Sequence, residues 1–359
     1  MTSFCRHRRL ESTCPICSRK AKREGAPQGA PRRTSTPVPG SVRRSGSTRR
    51  RHSSGDLRVR RLARAADDGY ESPLVPGLRA TADAGLLAEE FAFSAARLAE
   101  LHGDSPPGLY GEAARLGREG ALDEALWLTF EIACIGPAAE PDDAFREIER
   151  VRAGWAAGEV PSLADVTFGP RGFTDAARAE GALAAYRGWA ARGGGQASAL
   201  AGEPSWTPER RFDRAFERLA LPGRGRAQRY EFLLAAGALG LADVRAAALL
   251  LLGGDARDPT VVAAKRVFGI GDLLLVARRA NDLASACALP HAALDLALVN
   301  WARRTDDPDA GRISCGSTAE PDPDAPRISC GTAAEPDPEA LALAQDALEI
   351  PEPEPDEDA

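Results

Sequence analysis

The sequence predicts an all-α fold for its central part, on three observations. Apolar residues recur there at helical spacing, Val and Ile are sparse with alternating runs nearly absent, and Thr-Pro and Asp-Pro pairs sit where helices should begin. In chain order, Leu86, Leu87, Phe91, Phe93, Leu98 and Leu101 mark a first helix, and Leu122, Leu126, Trp127 and Phe130 a second. Thr207-Pro208-Glu209 supplies a capping hydroxyl, a proline at the first helical position and an early carboxylate. The helix it opens sets Phe212, Phe216 and Leu219 on one face. Another is expected over 226–239, with Tyr230, Leu233, Leu234 and Gly237 inward. Asp258-Pro259 starts the next, and Gly269 can end it in a left-handed cap. Asp272 caps one more, and Pro290 begins the last, ending near Trp301 and Arg304.

Charge divides the 359 residues more sharply than hydropathy does. Residues 1–65 carry 18 Arg or Lys against three acids, whereas residues 306–359 carry 16 acids against Arg312 and Arg327. The expected organisation is a Cys/His unit at 1–20, a basic disordered linker at 21–56, the helical domain at 57–304 and an acidic disordered tail at 305–359. The tail holds a tandem duplication: RISCGSTAEPDPDA (312–325) recurs as RISCGTAAEPDPEA (327–340). Two such short copies do not make a solenoid. A single short helix is expected within the tail, over 338–348. The longest apolar run has seven residues, and the charged start MTSFCRHRRL lacks a secretory apolar stretch. A cytoplasmic, nucleoid-associated protein is expected, with no membrane partner. A basic arm of this density suits an anionic partner such as DNA. Only Lys20, Lys22 and Lys265 are lysines among 46 basic residues, so coding bias alone accounts for much of the arginine.

Four motifs carry chemistry. Cys5-x-His7-x6-Cys14-x2-Cys17 offers four sulfur or nitrogen ligands within 13 positions, the set a structural zinc ion takes, with no place left for substrate water. Arg6, Arg8 and Arg9 beside it would touch phosphates or form a solvated surface. Lys265 to Asp272, KRVFGIGD, places Gly269 and Gly271 in a turn between helices. Such a turn exposes N–H groups to phosphate in helix-hairpin-helix units, and is otherwise a tight interhelical connection. Asp258 is either an ordinary cap or a carboxylate at the mouth of a base pocket, and Lys265 follows it two turns on along the same face. Trp189, Gly193-Gly194-Gly195-Gln196 and Trp206 form an aromatic, glycine-rich stretch suited to stacking on a base or to packing. His102 and His291 are isolated in the sequence, and no Ser/His/Asp set is present.

Residues 204–240, 258–272 (DPTVVAAKRVFGIGD) and 293–301 (ALDLALVNW), with FCRHRRLESTCPICSR at the N-terminus, resemble a known family. That family is the α-glutamyl/putrescinyl thymine pyrophosphorylases, clade 3, an offshoot of the helix-hairpin-helix DNA glycosylases. The resemblance covers residues 80–304 and the Cys/His unit, and is most specific in AAKRVFGIGD. It implies a DNA-modifying transferase that replaces the pyrophosphate on a pyrophosphorylated 5-hydroxymethyluracil with an amine, putrescine or glutamate. By the glycosylase pattern that the resemblance implies, Asp258 falls at the catalytic carboxylate and Arg266 at the arginine of a Val-x-Arg-Val stretch, with Lys265 beside it. Pro259-Thr260 stands where glycosylases place Thr-His, and their Leu-Pro-Gly-Val-Gly hairpin ahead of the Asp is absent. A true DNA glycosylase and a non-catalytic DNA-binding or adaptor module are the alternatives.

Overall fold

Every regular element that the computed structural model describes is a helix. It describes residues 67–138, 143–221, 225–252, 255–305 and 327–351. Among the described residues twelve helices follow one another: α1 (Thr81–His102), α2 (Gly108–Arg118), α3 (Leu122–Ile135), α4 (Arg146–Val151), α5 (Ala176–Arg192), α6 (Gln196–Ala201), α7 (Pro208–Arg218), α8 (Arg226–Ala238), α9 (Pro259–Phe268), α10 (Leu273–Ala286), α11 (Ala293–Thr305) and α12 (Pro338–Ala347). None is long and apolar enough to cross a membrane.

The expected starts hold because each satisfies helix N–H groups that nothing else would. Thr207 accepts from Arg210 N, Asp258 from Thr260 N and Val261 N, Asp272 from Leu274 N and Leu275 N, and Asp337 from Ala340 N. Gly269 ends α9 in the left-handed region, φ 62°. Helix α11 begins at Ala293 rather than Pro290, whose carbonyl accepts from Ala293 N in the turn ahead of it.

Helices α3 and α8 are the centre. Every residue of α3 from Ala125 to Ile135 is buried, as is nearly all of α8. An aromatic stack fills the space between them and α5: Phe130 lies on Tyr186 at 3.7 Å, with Trp127 alongside and Phe232 edge-on. On the other side α1 packs along α11. The loop ahead of α5 is drawn onto the end of α3 backbone to backbone, Phe173 N donating to Cys134 O at 2.8 Å and Gly169 N to Ile135 O at 3.0 Å. Only glycine permits that approach, because a Cβ on Gly172 would stand 1.9 Å from Ile135 O.

The tail departs from expectation. A disordered tail interrupted by one short helix is expected over 305–359; the helix is present as α12 and packs on α1, but residues 327–337 ahead of it are seated on the domain as well. Ile328 and Cys330 are buried with Phe93, Leu296 and Val299, and the Tyr70 hydroxyl donates to Leu348 O at 2.7 Å. The reason is polar as well as apolar. Arg327 forks onto Glu89 and Glu90 of α1, and Asn300 exchanges hydrogen bonds with the backbone of Ile328. These partners lie more than 200 residues away in sequence or one helix back, so composition alone did not show them.

Candidate functional site

Asp258 is buried at the mouth of α9, its Oδ1 accepting from Thr260 N at 3.0 Å and Val261 N at 3.3 Å. The cation beside it is Arg226, the first residue of α8, whose Nη1 lies 3.8 Å from Oδ1. Arg226 belongs to a larger buried network. Its Nη2 is 2.6 Å from Asp295 Oδ1, and it also donates to the carbonyl of Leu249. Asp295, on α11, accepts further from Thr260 Oγ1 at 3.1 Å and from Arg171. Arg171 stands 3.9 Å from Glu231, and Glu231 is paired with Arg97 of α1. Three arginines and three carboxylates thus form one chain through the protein. The Gly169 and Gly172 contacts place Arg171 in it, and Gln228 holds the carbonyls of Arg171 and Gly172 at 3.0 and 2.9 Å.

Burial pushes the Asp295 carboxyl up, but Arg226 and Arg171 more than offset this and hold it at about 2. Burial raises the Tyr230 hydroxyl well above its ordinary range, and Asp295 adds to the effect. Arg229 is lowered by burial and by Arg226, and its guanidinium lies 4.1 Å over the Phe216 ring. The result is a buried network of three arginines and three carboxylates whose end nearest the start of α9 is Asp258.

The other expected site residues fall apart into separate roles. Lys265 lies on α9 about 10 Å along the axis from Asp258 at 1.5 Å per residue, so the two do not meet. Arg266 lies over the Trp301 ring at 4.8 Å and donates to Thr305 Oγ1 at 3.2 Å. Trp301 in turn donates to Asp83 O at 2.9 Å, so Arg266 ties α9, α11 and α1 together. Gly269 and Gly271 are exposed. The N–H groups of Leu274 and Leu275 that follow them are taken by Asp272, the place an anion would otherwise occupy. Cys5, His7, Cys14, Cys17, Arg6, Arg8 and Arg9 lie outside the described residues. Among the described residues no three His, Cys, Asp or Glu side chains are grouped so as to hold a metal ion. Trp189 and Trp206 are both half-buried: Trp189 packs on the core 5.4 Å from Tyr186, and Trp206 lies under Arg210 and Arg218.

Two groups escaped the sequence reading. His102 and His291, isolated in sequence, line one concavity of about 850 Å³ walled by Leu98, Leu234, Gly237 and Val244. The Arg245–Glu209 ion pair stands on its rim, and that arginine holds the Glu209 carboxyl at about 2. Glu131 is the second. Burial among the aromatic rings pushes its carboxyl up to about 8, against the hydrogen bond from Ala153 N and the charges of Arg152 and Arg187. A carboxyl raised in the folded state binds its proton there while the unfolded chain has lost it, so stability falls as pH rises from about 4.5 to about 8. Glu131→Gln is therefore expected to raise the melting temperature at pH 8 and to change it little at pH 4.5. Equal shifts at both pH values would contradict the assignment.

Comparison with family models, curated proteins and solved structures finds no match for the chain.

Proposed function

We propose that the chain modifies DNA, at the nucleoid in the cytoplasm, by the reaction its family resemblance implies. Pyrophosphate on the methylene of a pyrophosphorylated 5-hydroxymethyluracil is exchanged for an amine, putrescine or the amino group of glutamate. One observation carries the reading: a carboxylate, Asp258, buried at a helix start, held by two helix N–H groups and with the Arg226 guanidinium 3.8 Å away. A base acted on at its 5-substituent must leave the duplex stack, so a fixed carboxylate is the part the chemistry needs. The amine nitrogen bonds to the methylene carbon, and the C–O bond breaks with its electron pair leaving on pyrophosphate. Asp258 takes the proton from the amine. Lys265 neutralises the departing phosphates. Arg266, the second cation that the resemblance points to, is engaged with Trp301 and Thr305. A structural zinc ion on Cys5, His7, Cys14 and Cys17, with Arg6, Arg8 and Arg9 on the DNA backbone, belongs to the same reading.

A second reading, a non-catalytic DNA-binding module, is favoured by the way Asp258, Arg266 and Asp272 each serve the fold. Nucleoside mass spectrometry separates the two. The protein is incubated with duplex DNA carrying the pyrophosphorylated base, with and without each amine. Loss of pyrophosphate with gain of the amine mass supports the proposal, and an abasic site makes the protein a glycosylase. Unchanged DNA in every condition leaves the binding module.

A further inference from the structure

The seat of residues 327–331 is specific. Arg327 Nε donates to Glu90 Oε1 at 2.8 Å while another of its nitrogens reaches Glu89, and its guanidinium lies 5.5 Å from the Phe93 ring. Ile328 N donates to Asn300 Oδ1 at 3.0 Å, and Cys330 is 2% exposed. Gly331 has φ 78° and lies against Phe145, where a Cβ would come within 2.5 Å of the ring. Thr332 Oγ1 closes the turn on Ser329 O at 2.7 Å. Every one of these groups recurs fifteen residues earlier as Arg312, Ile313, Ser314, Cys315 and Gly316, with Ser317 supplying the hydroxyl of Thr332. Reach is no obstacle. Arg304, the penultimate residue of α11, shares the Glu90 carboxylate with Arg327, and seven residues separate Arg304 from Arg312. Seven residues span up to about 23 Å, far more than two guanidiniums on one carboxylate require.

We propose that the groove between α1 and α11 is a binding site for the Arg-Ile-Ser-Cys-Gly sequence with two ligands in the same chain, residues 327–331 and residues 312–316, which replace one another by a fifteen-residue shift. Two effects set the balance. The connection from Arg304 is seven residues for the first copy and 22 for the second, which favours the first by roughly five-fold in loop closure. Helix α12 favours the second. Its Leu341 N donates to Asp337 O at 2.9 Å, and in the shifted register that place falls on Pro326, which has no N–H. The first copy therefore fills the groove without continuing into a helix of its own. With α12 seated on α1, the second copy reaches it through residues 332–337 and the first through the longer connection 317–337.

Thiol alkylation of the folded full chain, mapped by peptide mass spectrometry, tests this, because cleavage at Arg312 and Arg327 puts Cys315 and Cys330 on different peptides. Disabling the first copy with Arg312→Ala and Ile313→Asp is expected to slow labelling of Cys330 by about three-fold or more, since a competitor has been removed. An unchanged rate overturns the proposal. Disabling the second copy with Ile328→Asp is expected to protect Cys315 by about ten-fold while the buried Cys134 and Cys287 stay protected. Cys315 reacting as fast as in a free peptide of its sequence, with Cys134 and Cys287 still protected, also overturns it. If Ile328→Asp unfolds the protein, the first comparison decides alone, since it alters no residue seated in the structure.

Discussion

Asp295→Ala is expected to destabilise the protein by about 3–5 kcal/mol, lowering the melting temperature by about 10 °C or more. The side chain is 2% exposed and accepts from Arg171, Arg226 and Thr260 together. Its removal leaves two buried guanidiniums facing each other without the charge between them. Arg171 retains Glu231 only at 3.9 Å, and Arg226 retains Asp258 only at 3.8 Å. Neither distance is a hydrogen bond. A carboxyl held below its ordinary value stabilises the fold above that value, and the contribution is lost as pH falls towards about 2. The wild-type protein should therefore lose stability between about pH 4 and 2, and the variant should lack this component of the acid transition. Thermal melts at pH 7 and an acid titration check both, and a melting temperature within about 3 °C of wild type would show the network to be dispensable.

Trp127→Ala is expected to cost about 3–5 kcal/mol by a different route. Trp127 is 1% exposed, adjoins Phe130, Trp155 and Tyr186 at 5.6–6.1 Å, and donates from Nε1 to Ala153 O at 2.7 Å. Truncation opens a cavity between α3 and α5 and orphans a carbonyl. Arg187, whose guanidinium lies 4.9 Å from Trp127 and 4.2 Å from Trp155, loses one of its two aromatic faces. Trp127→Phe keeps most of the apolar contact and should cost about half as much. Urea unfolding of the pair measures the difference; equal midpoints for the two variants would assign the whole effect to the lost hydrogen bond.

The parts of the fold that could be read from sequence are those fixed by neighbours in the chain. Asp258, Asp272 and Thr207 cap helices with N–H groups two or three residues away, and the left-handed φ of Gly269 marks a helix end whatever lies against it. The tail helix was legible for the same reason, Asp337-Pro338 being a local start. The charge network was not legible. Arg97, Arg171 and Arg226 look like three of many arginines until the fold brings them to Glu231 and Asp295 across as many as 134 residues. The glycine contacts at Gly136, Gly169 and Gly172 were equally hidden, since their reason is an approach to another backbone. Lys265 stands two turns along α9 from Asp258, as its spacing in the sequence implies. The cation nearest Asp258 in the structure, Arg226, was not legible, because it comes from the start of another helix, α8.

In the proposed reaction Asp258 is a proton acceptor and more than a cap. Asn accepts helix N–H groups as well as Asp does, so Asp258→Asn keeps the start of α9 while removing the proton acceptor. Product formation on pyrophosphorylated DNA, followed by nucleoside mass spectrometry beside a thermal melt of the same sample, tests this most directly. At least about a hundred-fold loss of amine-substituted base is expected, with a melting temperature within about 4 °C of wild type. Product formed at the wild-type rate by D258N would contradict it, and would leave Asp258 as a helix cap alone.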